Sequence, residues 1–268
     1  MMGAVLWQMI RRRSLSTLWW ALGLAAFAAL LALAYPTIRG NKELDATFAG
    51  LPAGVQAALG LGAGNSLTAP IGYLNSQYFA NVLPAVYLIF AIGLASWSVA
   101  GDEAAGTLEL LLSNPVGRFR VALERAAGLV ILMAALTAVS VLALALLAPP
   151  FELTHGLGLT DMAAATVASA LLALTFAAVA FCAGAASGRR SLATSLAAFL
   201  AVAGFVVEGL GAQVKPLQPI RSISPWHWAL GTDPLRNGLT WESGLLPLAV
   251  SLVLVLVGAF IFGRRDLR

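Results

Sequence analysis

The stretch from 101 to 125 concentrates the charged side chains of an otherwise apolar chain. It reads GDEAAGTLELLLSNPVGRFRVALER and holds seven charges in 25 residues, whereas only 10% of all residues in the chain are charged. Long apolar runs lie on both sides of it, so this polar material belongs at a membrane surface. Acids, arginines and leucines mixed in this way suit recognition of a partner, and we expect the chain to receive or send its signal here.

The same stretch predicts a helix, a break and a second helix. Thr107 is suited to cap a helix N-terminus. Leu108, Leu111 and Leu112 then recur at helical spacing and form one apolar face. Pro115 ends this helix and begins the next, which leads into the membrane. The first helix is amphipathic and suits docking into a groove of a partner protein; the alternative is a surface helix lying among lipid headgroups.

Motifs for catalysis and metal binding are missing from the sequence. There is no G-x-x-x-x-G-K-[ST] phosphate loop, and no H-E-x-x-H, C-x-x-C or G-x-S-x-G pattern. The two histidines, His155 and His227, fall in different loops, far apart in the sequence. We therefore expect no catalytic, cofactor-binding or metal site in this chain.

Glu208 is the one acid that falls within a predicted membrane span. It occurs in GFVVEGLG, near the end of the fifth apolar run. A charge at the bilayer centre costs about 2.5–3.5 kcal/mol on insertion scales, and ion-driven carriers keep such charges for coupling. Glu208 either reaches the outer interface, or lines an exit path or a subunit contact. A single acid at the end of a span is thin support for an ion-coupled carrier, so the energy for any transport is expected to come from elsewhere.

Composition indicates which elements must position these residues. With 60% hydrophobic residues and a mean hydropathy of +0.87, the chain is predicted to be an all-α, polytopic membrane protein of a single domain. The fourth apolar run is rich in alanine, which permits close helix contact, and its Cys182 is expected to be a small packing residue. Six apolar runs are long enough to cross a bilayer: 15–35, 82–100, 126–148, 162–186, 192–211 and 244–262.

The N-terminal peptide Met1–Arg13 has a pattern of its own. Four apolar residues fall on one helical face before three arginines: Val5, Leu6, Met9 and Ile10. This predicts a helix lying in the inner membrane interface; the alternative is a simple basic flank. Arginines followed by an apolar run also resemble a secretory signal, but this run is longer than a typical signal, and we expect no cleavage.

The distribution of lysine and arginine predicts the orientation. The termini and the loops after the second and fourth spans hold eleven of these residues, and the remaining loops hold five. Basic residues favour cytoplasmic loops, so both termini are expected in the cytoplasm, with the protein in the inner (plasma) membrane. Aromatic residues in the long outer loops, 36–81 and 212–243, suit the membrane interface or a gate over an exit. The net charge of +4 is spread over short loops, so we expect no nucleic-acid partner.

The charged stretch resembles the signature of the membrane subunits of type-2 ABC exporters. In that family an acidic pair is followed by G-T-L-E-L-L-L-S-x-P-V-x-R, after an extended outer loop and a second span. The resemblance is tight between Glu103 and Arg118 and loose over the rest of the chain, where the P-W-H-W…D-P-L-R-N-G outer loop is also similar. The residues that carry it, and that it assigns to ATPase coupling, are Glu103, Gly106, Thr107, Leu108, Glu109, Leu111, Leu112, Pro115 and Arg118.

This resemblance implies a division of labour between chains. A separate ATPase subunit, expected in two copies, would bind ATP and Mg²⁺, and the helix from Thr107 to Ser113 would be the coupling helix in its groove. A second permease copy would complete a homodimer that exports a hydrophobic or amphipathic substrate. Some relatives carry two acids and a lysine after the motif, where this chain has arginines, so the resemblance does not fix the exact partner contacts. Two other functions stay open: an ion-coupled secondary carrier that uses Glu208, and a non-transporting membrane scaffold or sensor.

Overall fold

A computed structural model describes residues 3–52, 55–56, 66–104, 117–211 and 214–264. Across these residues the fold is all-helical, as predicted, and contains no strand. The helices within them are α1 (Ala4–Ile38), α2 (Lys42–Ala49), α3 (Pro70–Leu74), α4 (Val82–Ala104), α5 (Arg118–Leu147), α6 (Leu159–Ser187), α7 (Arg190–Gly211), α8 (Gln218–Ser222), α9 (Pro234–Asn237) and α10 (Leu245–Arg264).

The six predicted membrane spans are confirmed as helices long and apolar enough to cross a bilayer. They are α1, α4, α5, α6, α7 and α10, and most of them extend beyond the apolar runs. A π-helical turn at Asn75–Phe79 lies between α3 and α4. The second span therefore includes α3, this turn and most of α4, and runs from Pro70 to Val99.

Helix α1 is continuous from Ala4 to Ile38, which at 1.5 Å per residue is about 52 Å. The separate interfacial helix expected over Met1–Arg13 is therefore not confirmed, because residues 4–13 form the first turns of α1 itself. Arginine is a good helix former, and no glycine or proline interrupts the chain at this point. The hydroxyls of Ser14 and Thr17 donate to the carbonyls of Arg11 and Arg13, at 3.0 and 2.9 Å, within the continuing helix.

Helix α6 lies at the centre of the bundle and packs against α4, α5, α7 and α10. Its alanines permit this, since Ala168, Ala177 and Ala180 are fully buried at helix contacts. A Cβ atom added at Gly258 of α10 would lie 3.0 Å from the Cα of Cys182 in α6. Cys182 is half-buried at this close approach, in keeping with its predicted role in packing.

The described part of the loop between α1 and α4 is held together by a carboxylate. The hydroxyls of Ser66 and Thr68 donate to Asp45 of α2 at 2.7–2.8 Å, and the Thr68 amide donates to it at 3.2 Å. Burial raises the pKa of Asp45, but the hydrogen bonds from Thr68 and Ser66 outweigh it, so the pKa lies below its ordinary value. The phenol of Tyr35, at the end of α1, donates to the Thr68 carbonyl at 3.1 Å. Ser66 and Thr68 are therefore fixed to the C-terminal end of α1.

Candidate coupling site

The predicted coupling residues lie between helices α4 and α5. The structure places Glu103 in the last turn of α4 by its backbone alone, and Arg118 is the first residue of α5. The remaining residues of the motif lie outside the described part of the chain, and so does the predicted coupling helix: Gly106, Thr107, Leu108, Glu109, Leu111, Leu112 and Pro115. The described residues show how the two ends of this segment are held.

Glu124 joins the start of α5 to the N-terminus of α1. Its two carboxylate oxygens accept hydrogen bonds from the backbone amides of Gly3 and Leu6, at 3.3 and 3.4 Å. The first amides of a helix have no partner within the helix, and they carry the positive end of its dipole. Glu124 therefore caps α1 from a different helix. Arg120, one turn earlier in α5, donates to the same carboxylate at 3.1 Å.

A glycine brings α1 and α5 into close contact just above this cap. A Cβ atom added at Gly128 of α5 would lie 2.8 Å from the sulfur of Met9 in α1. Met9 is buried, with 4% of its surface exposed. Because Gly128 has no side chain, the side chain of Met9 lies directly against the backbone of α5.

Arg125 and Arg13 attach α4 to the same pair of helices. Arg125 of α5 is 4% exposed, and its Nη1 donates to the backbone carbonyl of Ser98 in α4. A buried guanidinium is tolerated only where such acceptors replace its water. From α1, the guanidinium of Arg13 lies 3.9 Å from the centre of the Trp97 ring of α4, a cation–π contact.

These five residues, Arg13, Trp97, Ser98, Glu124 and Arg125, form what we call the anchor cluster. It joins α1, α4 and α5 at the end of the bundle where the segment 105–116 leaves α4 and returns to α5. Sequence reasoning missed it, because the two charges of α5 were assigned to a cytoplasmic loop. One feature of the sequence could have indicated it: Glu124 and Arg125 directly precede the apolar run that begins at 126, and a charge at the edge of the membrane core needs a partner.

Glu208 lies at the opposite end of the bundle, in the last turn of α7. Arg221 of α8 donates to Glu208 Oε1 through Nε and Nη2, at 3.1 and 2.8 Å, and His227 Nδ1 lies 3.3 Å from the same oxygen. The side chain of Glu208 is 18% exposed. Nearby, the indole of Trp226 donates to the Ala201 carbonyl at 2.8 Å. Glu208 thus holds Arg221 and His227, from the segment between α7 and α10, against α7.

The residues that the structure describes form no cluster of side chains suited to bind a metal ion. Among these residues, no three side chains of histidine, cysteine, aspartate or glutamate are grouped to hold a metal ion. His155 lies 3.7 Å from Glu152 in an exposed loop, remote in sequence from His227.

Comparison with known protein families identifies the class of the molecule. The family model described as ABC-2 family transporter protein matches residues 10–267, which include all six of the spans predicted from the sequence. The chain belongs to the ABC-2 transporter family. It is accordingly a multi-pass membrane protein and an ABC transporter permease; such permeases are typically non-enzymatic membrane subunits that work with an ATPase partner. A search of curated protein sequences finds no match.

Proposed function

We propose that this ABC-2 permease is the membrane subunit of an exporter driven by a separate ATPase. Two ATPase subunits would bind ATP and Mg²⁺, and each would hold one coupling helix, from Thr107 to Ser113, of a permease homodimer. The cargo would be a hydrophobic or amphipathic molecule. The observation that supports this most directly is the anchor cluster, which gives the coupling segment a rigid base on three membrane helices.

The anchor cluster suits the transmission of force. A push on a short surface segment moves the membrane helices only if both ends of the segment are fixed to them. Here the segment leaves α4 six residues after Ser98 and enters α5 seven residues before Arg125, and these two residues are hydrogen-bonded to each other. Glu124 adds α1 to the same unit. Movement of the ATPase would then tilt α1, α4 and α5 together.

The orientation expected from the arginines fits this scheme. Arg118 and Arg190 are the first residues of α5 and α7, and Arg13 and Arg125 lie within the first ten residues of α1 and α5. All four lie towards the side of the bundle from which the coupling segment departs. This distribution favours the cytoplasm for that side and for both termini, where a soluble ATPase would find the segment. The outer loops, fixed by Asp45 and Glu208, would then lie on the side where cargo is released.

The proposal is tested by co-expressing the chain with the ATPase expected to be encoded beside it, and measuring co-purification, ATPase activity and transport in vesicles. Glu103→Ala and Leu111→Asp are expected to lower transport per ATP hydrolysed tenfold or more, because an aspartate in an apolar groove loses its hydration without gaining a partner. Membrane insertion should be unchanged.

Glu43→Ala, which removes an exposed acid of α2 at the other end of the bundle, is the matched control. It should leave coupling unchanged. Failure of any ATPase to bind, or equal losses in Leu111→Asp and the control, would contradict the proposal.

A further inference from the structure

Four hydroxyl side chains meet inside the bundle, between the second span and α5. They are Tyr78 of the π-helical turn, Tyr87 of α4, and Thr137 and Ser140 of α5, and we call them the hydroxyl cluster. The Ser140 hydroxyl is adjacent to both tyrosine hydroxyls, and the Thr137 hydroxyl is adjacent to that of Tyr87. Both tyrosines are 0% exposed, Ser140 is 1% exposed and Thr137 is 9% exposed. The cluster is therefore enclosed within the protein.

The π-helical turn brings the two tyrosines to the same side of the second span. They are nine residues apart. In a regular α-helix this separation is about two and a half turns, which would place them on opposite faces. The π-helical turn Asn75–Phe79 and the turn residues Ala80 and Asn81 interrupt that periodicity. Such local π-helical turns are frequent at functional sites.

The hydroxyl protons of the two α5 residues are already used within their own helix. Ser140 donates to the carbonyl of Leu136 at 2.9 Å, and Thr137 donates to that of Met133 at 2.8 Å. Their oxygens can still accept hydrogen bonds, because a hydroxyl oxygen has two lone pairs. These two residues are three apart, so they present their oxygens on the same face of α5.

The two tyrosine hydroxyls of the cluster are in the opposite situation. Their oxygens are buried and make no hydrogen bond to any protein group that the structure describes. A hydroxyl buried without a partner is costly. The ring of Tyr78 is nevertheless held on two sides, since Phe27 of α1 stacks on it at 6.2 Å between ring centres and Phe79 meets it edge-on at 5.1 Å. The cluster thus combines two fixed donors that need an acceptor with two acceptors that have no proton left to give.

We infer that the hydroxyl cluster binds one water molecule inside the membrane-spanning bundle. The water accepts hydrogen bonds from Tyr78 and Tyr87, and donates its two protons to the oxygens of Thr137 and Ser140. All four hydrogen bonds of the water are then made, and both tyrosine hydroxyls gain an acceptor. Buried waters typically make about three such bonds, to polar groups that otherwise have no partner. The water links the second span to α5 whatever molecule the permease transports.

A metal cation fits this cluster less well than water. The four groups are neutral hydroxyls, and the described residues contain no carboxylate hydrogen-bonded to any of them. A cation bound there would be an uncompensated charge within the membrane, which is costly. Water needs no opposite charge, and it supplies the acceptor and the donors that the four groups require.

The test is solid-state NMR of the full-length protein in lipid bilayers, with ¹³C at Cζ of tyrosine. The chain has four tyrosines, and a phenylalanine substitution at each one assigns its signal. Magnetisation from water protons should reach Tyr78 and Tyr87 more strongly than Tyr73. Tyr73 is the internal reference, because it is 2% exposed and its hydroxyl donates to the Leu31 carbonyl at 3.0 Å. Equal transfer to these three tyrosines would overturn the inference.

A pair of double variants tests the two acceptors. Thr137→Val/Ser140→Ala removes both of them and should abolish most of the transfer to the tyrosines of the cluster. Thr166→Val/Ser169→Ala in α6 is the matched control: its two residues have the same spacing, are 0% exposed, and donate to carbonyls one turn earlier at 2.7 and 2.9 Å. It should leave the transfer unchanged, and equal losses in the two double variants would contradict the water site.

Tyr87→Phe gives a milder test, since it removes one donor and keeps the ring. It should lower the transfer to Tyr78, whereas Tyr73→Phe should not; an unchanged signal at Tyr78 in Tyr87→Phe would count against a shared water. The choice of ligand is tested by replacing choline chloride with sodium chloride. The Cζ shifts of the cluster tyrosines should not change, and a sodium-dependent shift would overturn the inference in favour of a cation.

Discussion

Replacing Glu124 by alanine removes the contact through which α5 caps α1. The amides of Gly3 and Leu6 lose their acceptors, and Arg120 loses its ion-pair partner. Loss of a helix cap costs about 0.5–2 kcal/mol. The Arg120 pair adds about 0.3–0.5 kcal/mol, since Arg120 is 47% exposed and the pair is spaced i, i+4. We therefore expect Glu124→Ala to destabilise the docking of α1 on α5 by about 1–2 kcal/mol.

The loss is best measured at the affected amides. Hydrogen exchange followed by mass spectrometry should show faster exchange in the N-terminal peptide that includes Leu6, with no change in α6. A free-energy loss of 1.4 kcal/mol corresponds to a tenfold faster exchange where opening is local. In the complex with its ATPase, the same variant should lower transport per ATP hydrolysed, because α1 would no longer move with α5.

Arg120→Ala is the matched control, because it removes the ion pair and keeps the cap. It should change exchange at the N-terminus by about threefold or less, which corresponds to the weak i, i+4 pair. Unchanged exchange in Glu124→Ala would refute the capping role. An equal effect of the two substitutions would refute it as well, since the ion pair alone would then explain the result.

Three further substitutions probe other parts of the fold. Arg125→Met should lower the thermal unfolding midpoint in detergent. The backbone carbonyl of Ser98 would lose its hydrogen bond from Arg125, which costs about 1–3 kcal/mol. An unchanged midpoint would argue against this contact. Gly258→Leu should cost about 1–3 kcal/mol by overpacking against α6, whereas Gly209→Ala, in open space, should have little effect. The pKa of Asp45 is below its ordinary value, so its stabilising contribution is complete above the unfolded value of about 3.9 and is lost as the pH falls through the lower folded value. Unfolding midpoints measured between neutral pH and pH 3 should therefore fall more steeply for the wild type than for Asp45→Asn.

The membrane spans could be predicted from the sequence because each is specified locally. A run of about twenty apolar residues is expected to cross the membrane as a helix. A single helix makes all the hydrogen bonds of its own backbone, so it needs no neighbouring segment to do so in lipid. The contacts that hold the ends of the helices could not be predicted in the same way. The proline break predicted a second helix that leads from Pro115 into the membrane, and the structure describes helix α5 from Arg118. Its charged residues Glu124 and Arg125 are paired with groups of α1 and α4. Those partners are more than 25 residues away in sequence and leave no periodic signal.

Glu208 shows the same limit. Its position in an apolar run drew attention to it. A carboxylate in such a run is equally compatible with ion coupling, with lining an exit path, and with a structural ion pair. Arg221 and His227, its partners in the structure, follow it by 13 and 19 residues across a loop whose path is set by tertiary packing. The role assigned to the coupling residues themselves remains a prediction from the resemblance of their motif, since most of that motif lies outside the described residues.

The unequal lengths of the helices fix the thickness of bilayer to which the bundle is matched. Helix α10 has 20 residues and spans about 30 Å, with Trp241 exposed before one end and Arg264 stacked on Phe260 at the other. Such side chains anchor a helix at the two interfaces, so α10 has no length to spare, whereas α1 has about 20 Å more. In a thicker bilayer α10 would have to thin the lipid around it, while α1 could change its tilt instead. Hydrophobic mismatch would thus act unequally on the helices, and the acyl-chain length of the host membrane becomes a variable that sets the geometry of the bundle.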